Sequence, residues 1–340
     1  MSGNWDMPTF PALVHKAVSL ASPPKFLSGF HTFVDMFCGI GGFHQAATTL
    51  GMKCVFACDI DEECRKAYEH NYGLKPYGDI CRLRAENAPD HDLFCAGFPC
   101  QPFSIIGKRQ GFSDVRGTLF FEIARILKAK RPRAVVLENV KQLAGNDGGR
   151  TLTTILEILD SIGYKNPQWR LLNALDFGLP QKRERILIVG ILGGMQSPFP
   201  WPNAIAKRKS LPDILESDPD PRYRVSERIR RLRHAVHASK YKPAIWHENK
   251  SGNISSYPYS CALRAGASYN YLLVDGERRL TPREMLRLQG FPDSFEIICN
   301  DGQTRKQTGN AVPVPMVTAV VRSVFNAIQS TQVAREFAAA

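Results

Sequence analysis

The 340-residue sequence has no uninterrupted apolar run near the roughly 18 residues that a membrane-crossing helix needs, so no membrane partner is expected. None of its nine cysteines forms a C-x-x-C pair, which argues against a zinc site or other metal site and for free thiols in a reducing cytoplasm. Apolar patches in the first 30 residues are broken by Asp6, His15, Lys16 and Pro23-Pro24, a poor signal peptide that reads as an irregular arm. Internal repeats and low-complexity tracts are missing. Acidic residues are the scarcer charge: 32 Asp+Glu face 44 Lys+Arg, leaving a formal +12 that points to a polyanion, most simply nucleic acid. With 44% hydrophobic, 10% aromatic and 22% charged residues the chain is not disordered, and its length allows one large or two medium domains.

From His31 onward short β-prone runs alternate with helical stretches. Thr32–Phe37, Cys54–Cys58, Asp92–Ala96, Ala134–Leu137 and Ile186–Ile191 read as buried strands. Phe43–Leu50, Glu62–Asn71, Leu119–Lys130 and Leu152–Ile162 read as the helices between them, several closed by glycine. This rhythm predicts an α/β fold: a parallel, Rossmann-like sheet with helices on both faces. Ligands in such sheets sit beyond the carboxyl ends of the strands, where Gly39, Asp59, Gly97, Glu138 and the region after Ile191 should fall. After residue 195 the rhythm breaks in a Pro-rich stretch. Between Ile205 and Lys250 twelve Lys/Arg face six Asp/Glu, half of the chain's positive excess in 46 residues. A second, smaller domain is placed at 195–280, regular structure resuming near Arg279 and a closing helix running from Val312 to Ile328.

Several segments carry chemistry. Phe37-Cys38-Gly39-Ile40-Gly41-Gly42 follows a strand and opens a helix, where glycines let a ligand approach the backbone. Asp59, 20 residues after Gly39 and at the next strand end, suits ribose hydroxyls; NAD, FAD and S-adenosylmethionine fit this pair equally. Gly97-Phe98-Pro99-Cys100-Gln101-Pro102-Phe103-Ser104 puts a cysteine on a rigid loop after a strand, where a thiol serves as nucleophile if its pKa is lowered. The glycine-containing basic loop that follows is suited to fold over a substrate as a lid. Glu138 stands at another strand end, and Gln181-Lys182-Arg183-Glu184-Arg185 precedes a buried strand, so a Cys, a Glu and an Arg should converge on one pocket.

These segments, with Gly78-Asp79-Ile80, Arg116-Gly117-Thr118-Leu119, Glu138-Asn139-Val140, Pro282-Arg283-Glu284, Arg287 to Pro292 and Gln307 to Val312, occur in an order that resembles the DNA (cytosine-5)-methyltransferase family. The resemblance frames residues 31 to about 325, and in size is nearest to bacterial forms that are the modification partners of restriction enzymes. It implies an S-adenosylmethionine-dependent methyltransferase sheet at 31–194, a target-recognition domain at 195–280, a hinge at 281–306 and a C-terminal segment, 307–340, that returns to the catalytic domain. It implies double-stranded DNA as partner and methyl transfer to C5 of a flipped-out cytosine through a covalent bond between Cys100 and C6. Cys100, Glu138, Arg183 and Arg185 then form the catalytic set: Glu138 hydrogen-bonds the N3/N4 edge, Arg185 holds O2 and Arg183 supports it. Phe37, Gly39, Ile40, Gly41, Gly42, Asp59, Ile60, Asp79, Ile80, Leu119, Asn310 and Val312 carry over as the S-adenosyl-L-methionine site.

The sequence departs from the family pattern at Cys38, where Ala is usual, at Asp59, where Glu is commoner, at Ile60, where some relatives have an aromatic ring, and at Ala262, in place of Thr. Ser104, Ile106, Lys108, Arg116, Arg264 and Tyr269 are candidate DNA contacts, with Asn270 and Tyr271 beside them. Arg228, Arg230, Arg231 and Arg233 read as phosphate contacts or a solvated helix face. The alternatives are a tRNA cytosine-5 methyltransferase of the same family, an inactive DNA-binding module on the same scaffold, and, from the glycine loop alone, a nicotinamide oxidoreductase.

Overall fold

A computed structural model describes residues 30–99, 119–195, 197–206 and 208–339. In chain order its regular elements are β1 (Thr32–Met36), α1 (Gly42–Thr49), β2 (Lys53–Cys58), α2 (Glu62–Tyr72), β3 (Leu93–Gly97), α3 (Leu119–Lys130), β4 (Ala134–Val140), α4 (Arg150–Ser161), β5 (Gln168–Asn173), β6 (Gln181–Lys182), β7 (Glu184–Ile191), α5 (Glu227–Val236), β8 (Ile245–Glu248), β9 (Ile254–Tyr257), β10 (Ser260–Cys261), β11 (Leu272–Val274), α6 (Pro282–Gln289), α7 (Asp301–Asn310) and α8 (Val314–Ala339).

Six of these strands form one sheet in the order β2-β1-β3-β4-β7-β5. Its strands are apolar on both faces because both faces are covered. Phe33, Leu93, Cys95, Val136, Leu187 and Val189 join the core under α1 and α8, while the alternating Val34, Phe94, Ala96, Val135, Leu137 and Ile188 pack beneath α3 and α4. β1 pairs in parallel with β2 and β3, and β3 with β4.

The expectation of a wholly parallel sheet needs correction: β7 is antiparallel to β4 and to β5. No α-helix separates β5 from β7, and a parallel return needs a crossover of a dozen or more residues. One further expectation falls with it. The region after Ile191 is not at the ligand-binding edge, since Ile191 pairs with Ala134 at the amino end of β4. It is the start of β7 that lies beside the carboxyl end of β4. β5 itself was not foreseen; it is the sheet edge, where Trp169 and Leu171 remain 41% and 44% exposed and no buried apolar run marks it.

Beyond residue 195 the chain is more regular than its sequence texture suggests. Within the expected gap lie α5 and a three-stranded antiparallel sheet in the order β11-β8-β9. Ile245, Leu263, Leu272, Val274 and Leu280 build a separate apolar cluster, completed by Met285 and Leu288 of α6. The opposite face of α6 puts Leu286 into the large core, so α6 joins both units. Thr281 and Glu284 form a capping box at its start, and the buried Glu284 also takes a 2.7 Å ion pair from Arg278. α8 then returns across the large sheet. The span from Asp301 to Ser330 is long and apolar enough to cross a bilayer, yet Val317, Val320, Val321 and Val324 are wholly buried against the sheet and α1.

Candidate active site

A cavity of about 690 Å³ opens at the carboxyl ends of β1, β2, β3 and β4. The turn after β1 forms one wall. Phe37 and Gly39 have φ of 54° and 52°, a left-handed backbone that costs a phenylalanine energy and occurs at sites where geometry matters more than local stability. Gly41 then caps α1 at φ 84°, and a Cβ there would lie 2.3 Å from the Tyr72 ring. Gly42 faces Val312: an added Cβ would stand 2.5 Å from its Cγ2 and 2.9 Å from its carbonyl oxygen.

Asp59, at the end of β2, is fixed by two backbone donors, Gly39 N–H to Oδ2 and Asp61 N–H to Oδ1, both at 2.8 Å. Each carboxylate oxygen keeps a further acceptor position. Burial pushes the Asp59 carboxyl above its usual range despite those donors. Asp79 caps a short 3₁₀ turn through Cys81 N–H, and the adjoining Ile80 is buried. Ile60, 75% exposed, Leu119 and Asn310 also border the cavity. Ile40 and Gly41 do not; Ile40 is core beneath the loop.

The other end of the cavity holds Glu138 and Arg185. In the β4–β7 register Glu138 is opposite Leu187 and Val140 opposite Arg185, so the two charged residues are diagonal neighbours on one face. Arg185 Nε lies 2.8 Å from Glu138 Oε1, an ion pair between two largely buried side chains. Glu138 is 6% exposed, and its pKa is raised: desolvation outweighs the attraction of Arg185 and Arg183. Gly97 on β3 pairs with Glu138, and a Cβ there would stand 3.5 Å from its Oε2, an ordinary contact.

Arg183 lies on the cavity wall, but its guanidinium is committed to main chain. It donates to Leu263 O at 2.8 Å, Gly309 O at 2.9 Å and Ala311 O at 2.8 Å. Burial lowers its pKa to about 9. It thus ties β7 to the second unit and to the end of α7.

Cys100, Ser104, Ile106, Lys108 and Arg116, with the rest of the loop read as a lid, lie outside the described residues. Pro99, next to Cys100, borders the cavity. Arg264 borders it too, its guanidinium 4.8 Å from the Tyr271 ring, whereas Tyr269 faces a different, smaller cavity. Of the α5 arginines, Arg230 and Arg231 pair with Glu227 and Arg233 is buried against Glu248 and Asn270 O.

Several residues were not singled out from sequence. Asn139 is buried and locks the loop leading to Cys100, donating from Nδ2 to Phe98 O at 2.9 Å; its place directly after Glu138 was the available signal. Gln181 bridges the units through Leu288 O and Leu263 N–H. Lys306 borders the cavity and pairs with Asp61 at 2.6 Å. Nothing in the local sequence of Lys306 marks it.

Residues 31–326 match the family described as C-5 cytosine-specific DNA methylase. The chain belongs to that family. It is 52% identical over 289 residues to the type II methyltransferase M.NgoBI of Neisseria gonorrhoeae, covering 84% of this chain and 90% of that one. It is 51% identical over 298 residues to the type II methyltransferase M.HaeII of Haemophilus aegyptius, covering 87% and 93%. Among solved structures, the Dnmt2 methyltransferase of S. pombe superposes with a TM-score of 0.65 at 23% identity, covering 87% of this chain and 98% of that one, a likeness of fold. The protein is therefore a DNA (cytosine-5)-methyltransferase with S-adenosyl-L-methionine as methyl donor.

The cavity suits that donor. A nucleoside sulfonium needs apolar faces for its adenine, carboxylates for its hydroxyl and amino groups, and glycine backbone at close range. The cavity lining includes groups of each kind: apolar Phe37, Ile60, Ile80 and Val312, the carboxylates of Asp59 and Asp79, and the glycines Gly39 and Gly42. The volume lies in the range for small-molecule sites.

Proposed function

We propose that this methyltransferase modifies C5 of a cytosine flipped out of double-stranded DNA, using Cys100 as nucleophile, Glu138 as proton carrier and Arg185 as oxygen clamp. The meeting of Glu138 and Arg185, from antiparallel strands, in one cavity with the Gly39–Asp59 loop carries this reading. When bound, the cofactor supplies an electrophilic methyl group. C5 of cytosine is a weak nucleophile, and a bond from Cys100 Sγ to C6 shifts electron density to C5. C5 then takes the methyl group, and loss of the C5 proton with expulsion of the thiolate restores the ring. Negative charge builds at N3 and O2 during the addition. A carboxyl whose pKa is raised by burial carries a proton to N3, and Arg185 offers N–H donors to O2. Arg183 holds the floor of the pocket through its three carbonyls.

Phe37, Asp59, Ile60, Asp79, Ile80, Leu119, Asn310 and Val312 line the donor's side of the cavity in this reading. The unit around β8, β9 and β11, with Arg264 at the cavity edge, is the target-recognition domain. The type II naming of the relatives supports a role in protecting host DNA from a partner restriction endonuclease.

The test is a duplex carrying 5-fluorocytosine, whose C5 substituent cannot leave after methylation. With S-adenosylmethionine present the wild-type chain should become covalently attached to that duplex, and Cys100→Ala should not. A wild-type enzyme that methylates ordinary DNA yet never forms the adduct overturns the mechanism. Bisulfite sequencing of DNA from expressing cells would then give the target sequence.

A further inference from the structure

The segment from Leu263 to Tyr271 is a thin partition. Arg264, Ala265 and Gly266 border the active cavity. On its back lies a second cavity of about 170 Å³, onto which Tyr269 and Tyr271 face. Leu263 and Tyr271 join the second unit's apolar cluster, and the cavity interrupts the packing between them. Its ends are anchored: Gln181 and Arg183 hold the main chain of Leu263, and Arg233 takes Asn270 O. The middle is held from α7. Arg305 donates through Nη1 to Ala267 O at 2.8 Å and Ser268 O at 3.0 Å, and its guanidinium stands 4.0 Å from the centre of the Tyr269 ring. One residue thus supplies two hydrogen bonds and a cation–π contact across a void. The same helix approaches closely elsewhere, since a Cβ on Gly309 would be 2.3 Å from Ala265 N.

We infer that Arg305 is the positioning residue that fixes segment 264–270 against the active cavity and so sets affinity for the DNA target. The inference rests on the reading that Arg264 and its neighbours meet DNA. Arg305 itself borders only the rear cavity, so its effect passes through the segment it holds.

The experiment compares Arg305→Ala, Arg305→Lys and Arg264→Ala with wild type in the full chain. It reads KM for duplex DNA, kcat, S-adenosylmethionine affinity by calorimetry, and amide exchange of residues 265–270. Arg305→Ala should raise KM about tenfold, leave kcat and cofactor affinity within about threefold, and speed exchange across 265–270. Arg305→Lys keeps the charge but not the planar fork, and should fall between. If Arg305→Ala loses cofactor binding, and with it the fold, the same KM-against-kcat split and exchange readout in Arg305→Lys decide. Unchanged KM and exchange in the Arg305 variants, with KM raised by Arg264→Ala, overturn the positioning role alone. Unchanged KM in Arg264→Ala overturns the DNA-contact reading, and this inference with it.

Discussion

Burial and a neighbouring guanidinium pull Glu138 in opposite directions, and burial prevails. A carboxyl in that state can hold a proton, as the proposed mechanism requires of it. Glu138→Gln should keep the shape and remove the proton transfer, lowering the rate of methyl transfer by at least about a hundredfold while cofactor affinity stays within a few fold. Calorimetry and labelled-methyl assays would measure the two. The same residue sets a pH dependence of stability. Its folded pKa lies above the ordinary 4.5, so the native state binds more protons than the unfolded chain over that interval. The stability this contributes is complete below pH 4.5 and is lost as pH rises through the folded value. Urea unfolding at a series of pH values should show that loss in wild type and not in Glu138→Gln. Glu138 was legible in sequence as a carboxylate at a strand end. That it would share a pocket with an arginine was also expected; that the reversed direction of β7 brings Arg185 there was not, because strand direction is set by distant pairing.

At the scale of elements, the wall of the cavity where the methyl donor is proposed to bind is a junction between α1 and the chain entering α8. Gly42 stands so close to Val312 that it could not accept a Cβ unless the two moved apart. Gly42→Ala should therefore weaken S-adenosylmethionine binding about tenfold or more and lower stability by about 1–3 kcal/mol, measured by calorimetry and urea unfolding. Unchanged affinity would mean that the junction does not shape the site. β1 to β4 and the helices between them were readable from runs of four to six apolar residues bounded by glycine and charge. β5 was not, since at the sheet edge Trp169, Arg170 and Leu171 are exposed on both faces and Leu172 alone is buried, which leaves no apolar alternation to read. The short strands β8, β9 and β11 were hidden for a related reason: each spans only three or four residues and gains its stability from partners distant in sequence.

The whole molecule carries its positive excess unevenly, half of it between Ile205 and Lys250. If that surface meets DNA phosphates, binding releases counterions, and affinity should fall about a hundredfold or more between 50 and 200 mM salt. Fluorescence anisotropy with a labelled duplex would give the slope, and a flat response would remove the basic unit from the interface. Not every arginine there is available. Arg230 and Arg231 share Glu227, Arg230 also lies near Glu277, and Arg233 serves the interior. The charge count alone therefore overstates the number of phosphate contacts.

The family, and through that resemblance the methyl donor, were legible in the sequence alone, because the segments that mark it are short local runs of particular side chains beside particular backbone turns. What only the tertiary structure decided was their assembly. The antiparallel return of β7 carries Arg185 to Glu138, Arg183 spends its charge on three carbonyls from two distant segments, and Arg305 supports a wall of the site from behind. Those contacts join residues roughly 40 to 130 positions apart, and contacts at such separation leave no periodicity in the sequence from which to read them.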